Sequence, residues 1–111
     1  RFEEHVLGAD PTARIEWVKD AIPFETPAEH PEVQALAAVH RSVLGSEPEI
    51  GRVMAWTDAC HLWYHGKMPT LVYGAGSHGA AHSECESVEV WRVEACARVL
   101  TAYLYTKLRE R

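Results

Sequence analysis

The chain has 111 residues, 47% of them hydrophobic and 24% charged, with a formal net charge of -5. That length suits one domain able to bury roughly two-thirds of the surface it exposes when unfolded, and the composition is that of an ordinary soluble globular protein. The acidic balance, with both signs interspersed, argues against nucleic acid or an anionic membrane surface as partner, and no apolar run approaches a membrane span or a signal peptide.

Residues 1–10 form an acidic, helix-compatible start (Phe2, Glu3, Glu4, Val6, Leu7) that ends at Gly8-Ala9-Asp10-Pro11. Residues 13–19 alternate imperfectly and predict a strand with one wet face. The stretch Pro23-Phe24-Glu25-Thr26-Pro27-Ala28-Glu29 has no period, and each proline removes a backbone donor and biases its predecessor to extended geometry. A domain boundary is expected there. Residues 31–44 predict a helix, with Pro31 in the first turn and Val33, Leu36, Ala37, His40, Val43 and Leu44 on one stripe. Gly45 supplies the left-handed stop.

Residues 51–56 read as a short buried strand through Val53, Met54 and Ala55. Asp58 then caps a short helix to Tyr64 that Gly66 terminates. Residues 69–73 read as a second buried strand, running into the glycine loop Gly74-Ala75-Gly76-Ser77-His78-Gly79-Ala80-Ala81-His82. A last helix over residues 90–108 would bury Val90, Val93, Ala97, Leu100, Leu104 and Leu108. Two apolar strands joined by a helix make a right-handed βαβ unit, so the expected fold class is α/β with mainly parallel strands. Such a unit sets Thr57-Asp58 beside Gly74-Ala75-Gly76 at the carboxyl edge of the sheet, where open α/β sheets place their ligands.

Within that edge, His82 is the strongest candidate for chemistry. A neutral imidazole is a natural zinc ligand, and Ser83 and Glu86 stand close enough in sequence to orient its ring. A lone loop histidine is more often a surface residue, but the surrounding glycines make this loop conformationally special. Gly74 and Gly76 can offer backbone donors to a substrate carboxylate. Thr57 and Asp58 have a plain structural reading as cap and first-turn acid, and a functional one as a hydroxyl and a carboxylate lining the same cleft.

Cys60, Cys85 and Cys96 are odd in number and lack a CxxC pair, so free thiols in a reducing cytoplasm are expected rather than a disulfide framework. Cys60, His61, His65, His82 and Cys85 could instead compose a structural zinc site, although paired-ligand spacing is absent. His40 reads as a satisfied core histidine, and His5, His30 and His78 carry no assignment. Trp17, Trp56, Trp63 and Trp91 read as packing between layers. A first residue of Arg rather than Met suggests a processed chain or one cut from something longer.

Several blocks occur in a telling order: Pro23-Phe24-Glu25-Thr26-Pro27, His30-Pro31-Glu32-Val33-Gln34-Ala35-Leu36, Trp56-Thr57-Asp58-Ala59, and Met68-Pro69-Thr70-Leu71-Val72-Tyr73-Gly74-Ala75-Gly76. Ala81-His82-Ser83, Glu86 and the final helix complete the set. In that order the chain resembles the C-terminal third of the zinc-dependent aminoacylase, carboxypeptidase and acetylornithine-deacetylase/succinyl-diaminopimelate-desuccinylase family. The resemblance covers essentially the whole chain.

It implies a three-layer α/β catalytic domain closed by residues 25–111, with residues 1–24 ending an inserted lid or dimerisation domain. It also implies a homodimer in the full-length protein. His82 takes the place of the family's C-terminal metal ligand, Gly74 and Gly76 face the substrate carboxylate, and Thr57 and Asp58 match a substrate-side motif. The implied reaction is hydrolysis of an N-acyl amino acid or small peptide. Two zinc ions, with cobalt or manganese as substitutes, would activate a bridging water, and a glutamate would act as general base.

Cys60 stands where the family often has Arg, Ala75 where Pro is usual, and Glu84, Cys85 and Ser87 depart from a common Pro-Asp-Glu-Tyr stretch. These departures bear on substrate identity. The family's His-x-Asp motif, bridging aspartate and Glu-Glu pair have no counterpart here, so no catalytic residue is expected within the chain, which alone should be inactive. The rival readings are a non-catalytic interaction module and a small structural-zinc domain.

Overall fold

A computed structural model describes residues 2–18, 22–76, 79 and 81–110. Four helices follow one another: α1 (Phe2–Ala9), α2 (Pro31–Leu44), α3 (Ala59–Tyr64) and α4 (Val90–Arg109). No strand forms among the described residues, which overturns the α/β expectation. Residues 51–56 and 69–73 carry no regular secondary structure, and no backbone hydrogen bond pairs them among the described residues. A strand exists by its ladder, and an apolar extended segment without a neighbour in register leaves its N–H and C=O groups to water or side chains. Here one side chain does part of that work: the Thr26 hydroxyl donates to the Thr70 carbonyl at 2.9 Å and accepts from the Thr70 N–H at 3.3 Å. The expected strand over residues 13–19 is likewise irregular as far as Val18, and Lys19 lies outside the described residues.

α2 forms over the expected residues. Pro31 sits at the first turn, and Gly45 ends the helix at φ 70°, ψ 15°, its N–H donating to the Arg41 carbonyl. The N-terminal cap is His30, whose Nδ1 accepts from the Glu32 N–H at 3.1 Å. Along the expected stripe, Ala37 is 4% exposed, and Val33, Leu36, His40, Val43 and Leu44 are half-buried.

α4 also forms where expected but turns a different face inward. Val99 is 0% exposed, with Ala95, Cys96, Ala102, Tyr103 and Lys107 half-buried around it. The face expected to be covered is open, with Val90 at 73%, Leu104 at 59% and Leu108 at 70% exposure. α2 and α4 are the one pair of helices in contact among the described residues. The small side chains of Ala95, Cys96 and Ala102 permit a close approach that the leucines of the other stripe would block. Glu32 on α2 ties the interface at one end, accepting hydrogen bonds from the Tyr103 hydroxyl and from Lys107 Nζ, the latter at 3.0 Å.

The remaining elements pack sparsely. α1 has no buried residue, and Phe2 meets Trp17 edge-on with ring centroids 6.0 Å apart. α3 lacks the expected side-chain cap from Asp58. Gly66 follows α3 at a point where a Cβ would come within 2.6 Å of the Leu62 carbonyl oxygen, so only glycine fits that turn. Trp63 tilts against Phe24 at 6.3 Å, whereas Trp17, Trp56 and Trp91 are exposed rather than packed between layers. The whole is elongated, 58 × 37 × 20 Å with a radius of gyration of 18.7 Å, against about 13 Å for a compact domain of this length.

Candidate metal-facing loop and neighbouring cleft

His82 holds a backbone φ of 60°. This left-handed region is uncommon for a residue with a Cβ and concentrates at turns and functional sites. The conformation is fixed locally: the His82 N–H donates to Glu86 Oε2 at 3.2 Å, and the Glu86 N–H donates to the Ser83 carbonyl at 3.1 Å. Glu86 therefore orients the backbone of residue 82 rather than its ring, which is exposed and engages no hydrogen bond among the described residues. Ser77, His78 and Ala80 of the same loop lie outside the described residues.

Gly74 and Gly76 sit in open surroundings. An added Cβ would meet nothing within 4 Å at either, and neither has a positive φ. The local fold does not demand glycine there, in contrast to Gly45 and Gly66. What the missing side chains leave is bare backbone that a ligand can approach.

A cleft of about 640 Å³ lies between α2 and the irregular segments around residues 48–57 and 70–73. Leu36, Ala37 and His40 wall one side, Val53, Met54 and Thr57 another, and Thr70 to Tyr73 a third. Thr57 thus reaches the cleft, while Asp58, Gly74, Gly76 and His82 are not among its walls. Of the five expected site residues Thr57 alone lines the cleft, and among the described residues no sheet holds the two segments in register.

His40 is satisfied as expected: its Nδ1 lies 2.9 Å from the Tyr73 hydroxyl and its Nε2 3.4 Å from Ser46 Oγ. Burial, with Cys96 nearby, pushes the Tyr73 hydroxyl above its ordinary pKa. The larger electrostatic perturbations belong to the helix pair. Burial first, then the hydrogen bond to Glu32, pushes Tyr103 up to about 12. The Tyr103 and Lys107 hydrogen bonds hold the Glu32 carboxyl below the usual carboxylate range. Sequence reasoning gave Glu32, Tyr103 and Lys107 no joint role, since they are joined only by the packing of distant helices.

Cys60, Cys85 and Cys96 are free thiols, as expected. Among the described residues, no group of three or more His, Cys, Asp or Glu side chains could hold a metal ion. No described helix is long and apolar enough to cross a membrane.

The pattern of Peptidase family M20/M25/M40 matches residues 4–106, and the chain belongs to that family of metal-dependent hydrolases. No curated protein and no solved structure matches the chain.

Proposed function

We infer that the chain forms part of a metal-dependent hydrolase that cleaves the amide bond of N-acyl amino acids or small peptides, with acetylornithine-deacetylase-like chemistry. In this reading His82 contributes one ligand to a zinc centre of two ions, which cobalt or manganese can replace. Gly74 and Gly76 present backbone donors to the substrate carboxylate, and Thr57 and Asp58 face the substrate. Residues 25–111 then belong to the catalytic domain and residues 1–24 to the lid or dimerisation domain of a homodimeric, cytoplasmic enzyme. The observation that carries the reading is the left-handed backbone of His82 pinned by Glu86, in a chain whose family is metal-dependent.

The described residues by themselves do not fit a complete catalytic metal centre. Such a centre takes about three protein ligands, and no described group of three donors is present. The purified 111-residue chain is therefore expected to show no zinc-dependent deacylation of N-acetyl amino acids, and turnover by it would overturn this reading. In an enzyme that joins these residues to the remaining ligands, His82→Gln should lower bound zinc and abolish activity together. Full zinc occupancy after that substitution would remove His82 from the centre.

The exposed surface favours a second reading, an interaction module. The chain exposes 9337 Å², where a compact monomer of its mass exposes about 6,200 Å². That excess is of the order a permanent interface covers. Concentration-dependent sedimentation tests this reading, and hydrolase activity gained when these residues are joined to the remaining metal ligands, which an interaction module would not show, separates it from the first. The structural-zinc reading gains no support, since Cys60 is buried and no described donor group of three gathers around it.

A further inference from the structure

Seven histidines occur in the chain, and the described ones divide by what their ring nitrogens do. His30 spends Nδ1 on the cap of α2, and His40 has Tyr73 and Ser46 at its two nitrogens. His61 and His65 differ: among the described residues no hydrogen bond engages either ring. They lie one helical turn apart, His61 on α3 and His65 at its C-terminal cap, with the His65 N–H donating to the His61 carbonyl at 2.9 Å. Their rings are stacked, 18° from parallel, with centroids 5.7 Å apart, and both residues are exposed.

We propose that His61 and His65 form a two-imidazole binding site for a divalent first-row transition metal ion, separate from the His82 loop. The spacing suits the chemistry. An ion about 2.1 Å from one nitrogen of each ring sets the ring centres about 4.6 to 5.3 Å apart for bond angles between square and tetrahedral. The observed 5.7 Å lies beyond that range and the rings are near-parallel, so chelation requires both exposed side chains to turn until one nitrogen of each converges on the ion. Histidines at i and i+4 on one helical face are the arrangement that metal-binding helices use, and imidazole selects zinc, copper or nickel over calcium or magnesium. Water completes the coordination, because Cys60 beside the pair is buried and supplies no third donor.

Aromatic rings flank the pair. The Trp56 ring meets His61 edge-on at 6.0 Å, and the Tyr64 ring meets His65 at 5.9 Å. Lys67, the cation closest in sequence, has its ammonium over the Tyr64 ring at 5.0 Å. His65 stands at the carboxyl end of α3, where the helix dipole favours a cation.

The test uses the 111-residue chain and the metal alone. Calorimetric titration with Zn²⁺ should give one ion per chain, and Ni²⁺ should broaden the NMR signals of His61 and His65 before any others. His61→Gln and His65→Gln should each weaken binding at least tenfold with helix content unchanged by circular dichroism, while His82→Gln leaves it within twofold. Binding that survives both His61→Gln and His65→Gln overturns the proposal. So does binding lost on His82→Gln, which would place the ion at the loop. The catalytic reading of His82 fails or stands separately, on zinc content and activity of the complete centre.

Discussion

α4 carries two apolar stripes roughly a third of a turn apart, and only one of them is covered. The stripe centred on Val99 lies against α2, while Val90, Val93, Leu100 and Leu104 look outward. Hydrophobicity does not decide between them, since the open stripe has the larger side chains. Shape and polar contacts do: Ala95, Cys96 and Ala102 let the helices approach, and Tyr103 and Lys107 find the Glu32 carboxylate at the rim. A stripe of leucines is a demand for cover, but a stripe of small residues states how near the cover may come.

The sharpest way to break this contrast is a charge in the covered stripe. Val99→Asp puts an unpaired carboxylate where nothing is exposed and should cost more than about 3 kcal/mol, unfolding the helix pair in denaturant titrations followed by circular dichroism. A stable Val99→Asp chain would show that the pair is not the core. Overpacking comes next. Cys96→Leu adds bulk where α2 approaches and should cost about 1–3 kcal/mol; no loss would mean that small size is not what selects this face.

Tyr103→Phe should cost about 1 kcal/mol through the lost hydrogen bond to a charged acceptor, and it sharpens the pH behaviour. The folded-state pKa of Glu32 is depressed, so its contribution is present above the ordinary carboxylate value of 4.5 and fades as pH falls through and below it. Tyr103 is the mirror case, raised from 10.0 to about 12, so its contribution holds below pH 10 and fades as pH climbs toward 12. Denaturation midpoints across pH should show both edges in the wild type and flatten at the alkaline edge in Tyr103→Phe. The smallest effect belongs to the open stripe. Leu104→Glu should change stability by no more than about 0.5 kcal/mol while reducing binding of an apolar dye. A large loss there would mean that the two stripes are not distinct.

Legibility in the sequence followed the range of the interactions involved. α2 was readable to its ends because Pro31, the stripe and Gly45 are local signals within one helix. Even so, its cap fell to His30, a residue with no assignment, by a side chain reaching two residues ahead. The extent of α4 was equally local, but its inward face depends on a partner 60 residues or so away in sequence and could not be read from period alone. Residues 51–56 and 69–73 failed as strands for a related reason. Apolar content and extended bias are local, whereas a ladder needs a second segment in register. Thr26 bridging Thr70 shows how little pairing these segments found.

The candidate site divides in the same way. The unusual conformation around His82 was signalled by its glycine-rich setting, and Thr57 reaches the cleft. Glu86 was singled out correctly but for the wrong atom, since it takes the backbone N–H of residue 82 and not the ring. The expected convergence of Thr57, Asp58, Gly74, Gly76 and His82 presupposed a sheet edge, and without the sheet only Thr57 borders the cleft. The family resemblance, resting on ordered blocks rather than on any fold argument, is borne out at the level of the peptidase family.

Gly66 leaves room for a single hydrogen where every other amino acid carries carbon. Swapping in even a methyl would press on the carbonyl of Leu62 and force the corner after α3 to open, dragging along the imidazole that immediately precedes it. The alignment of two rings thus depends on an atom that belongs to neither, and a surveyor looking only for donors would pass it by.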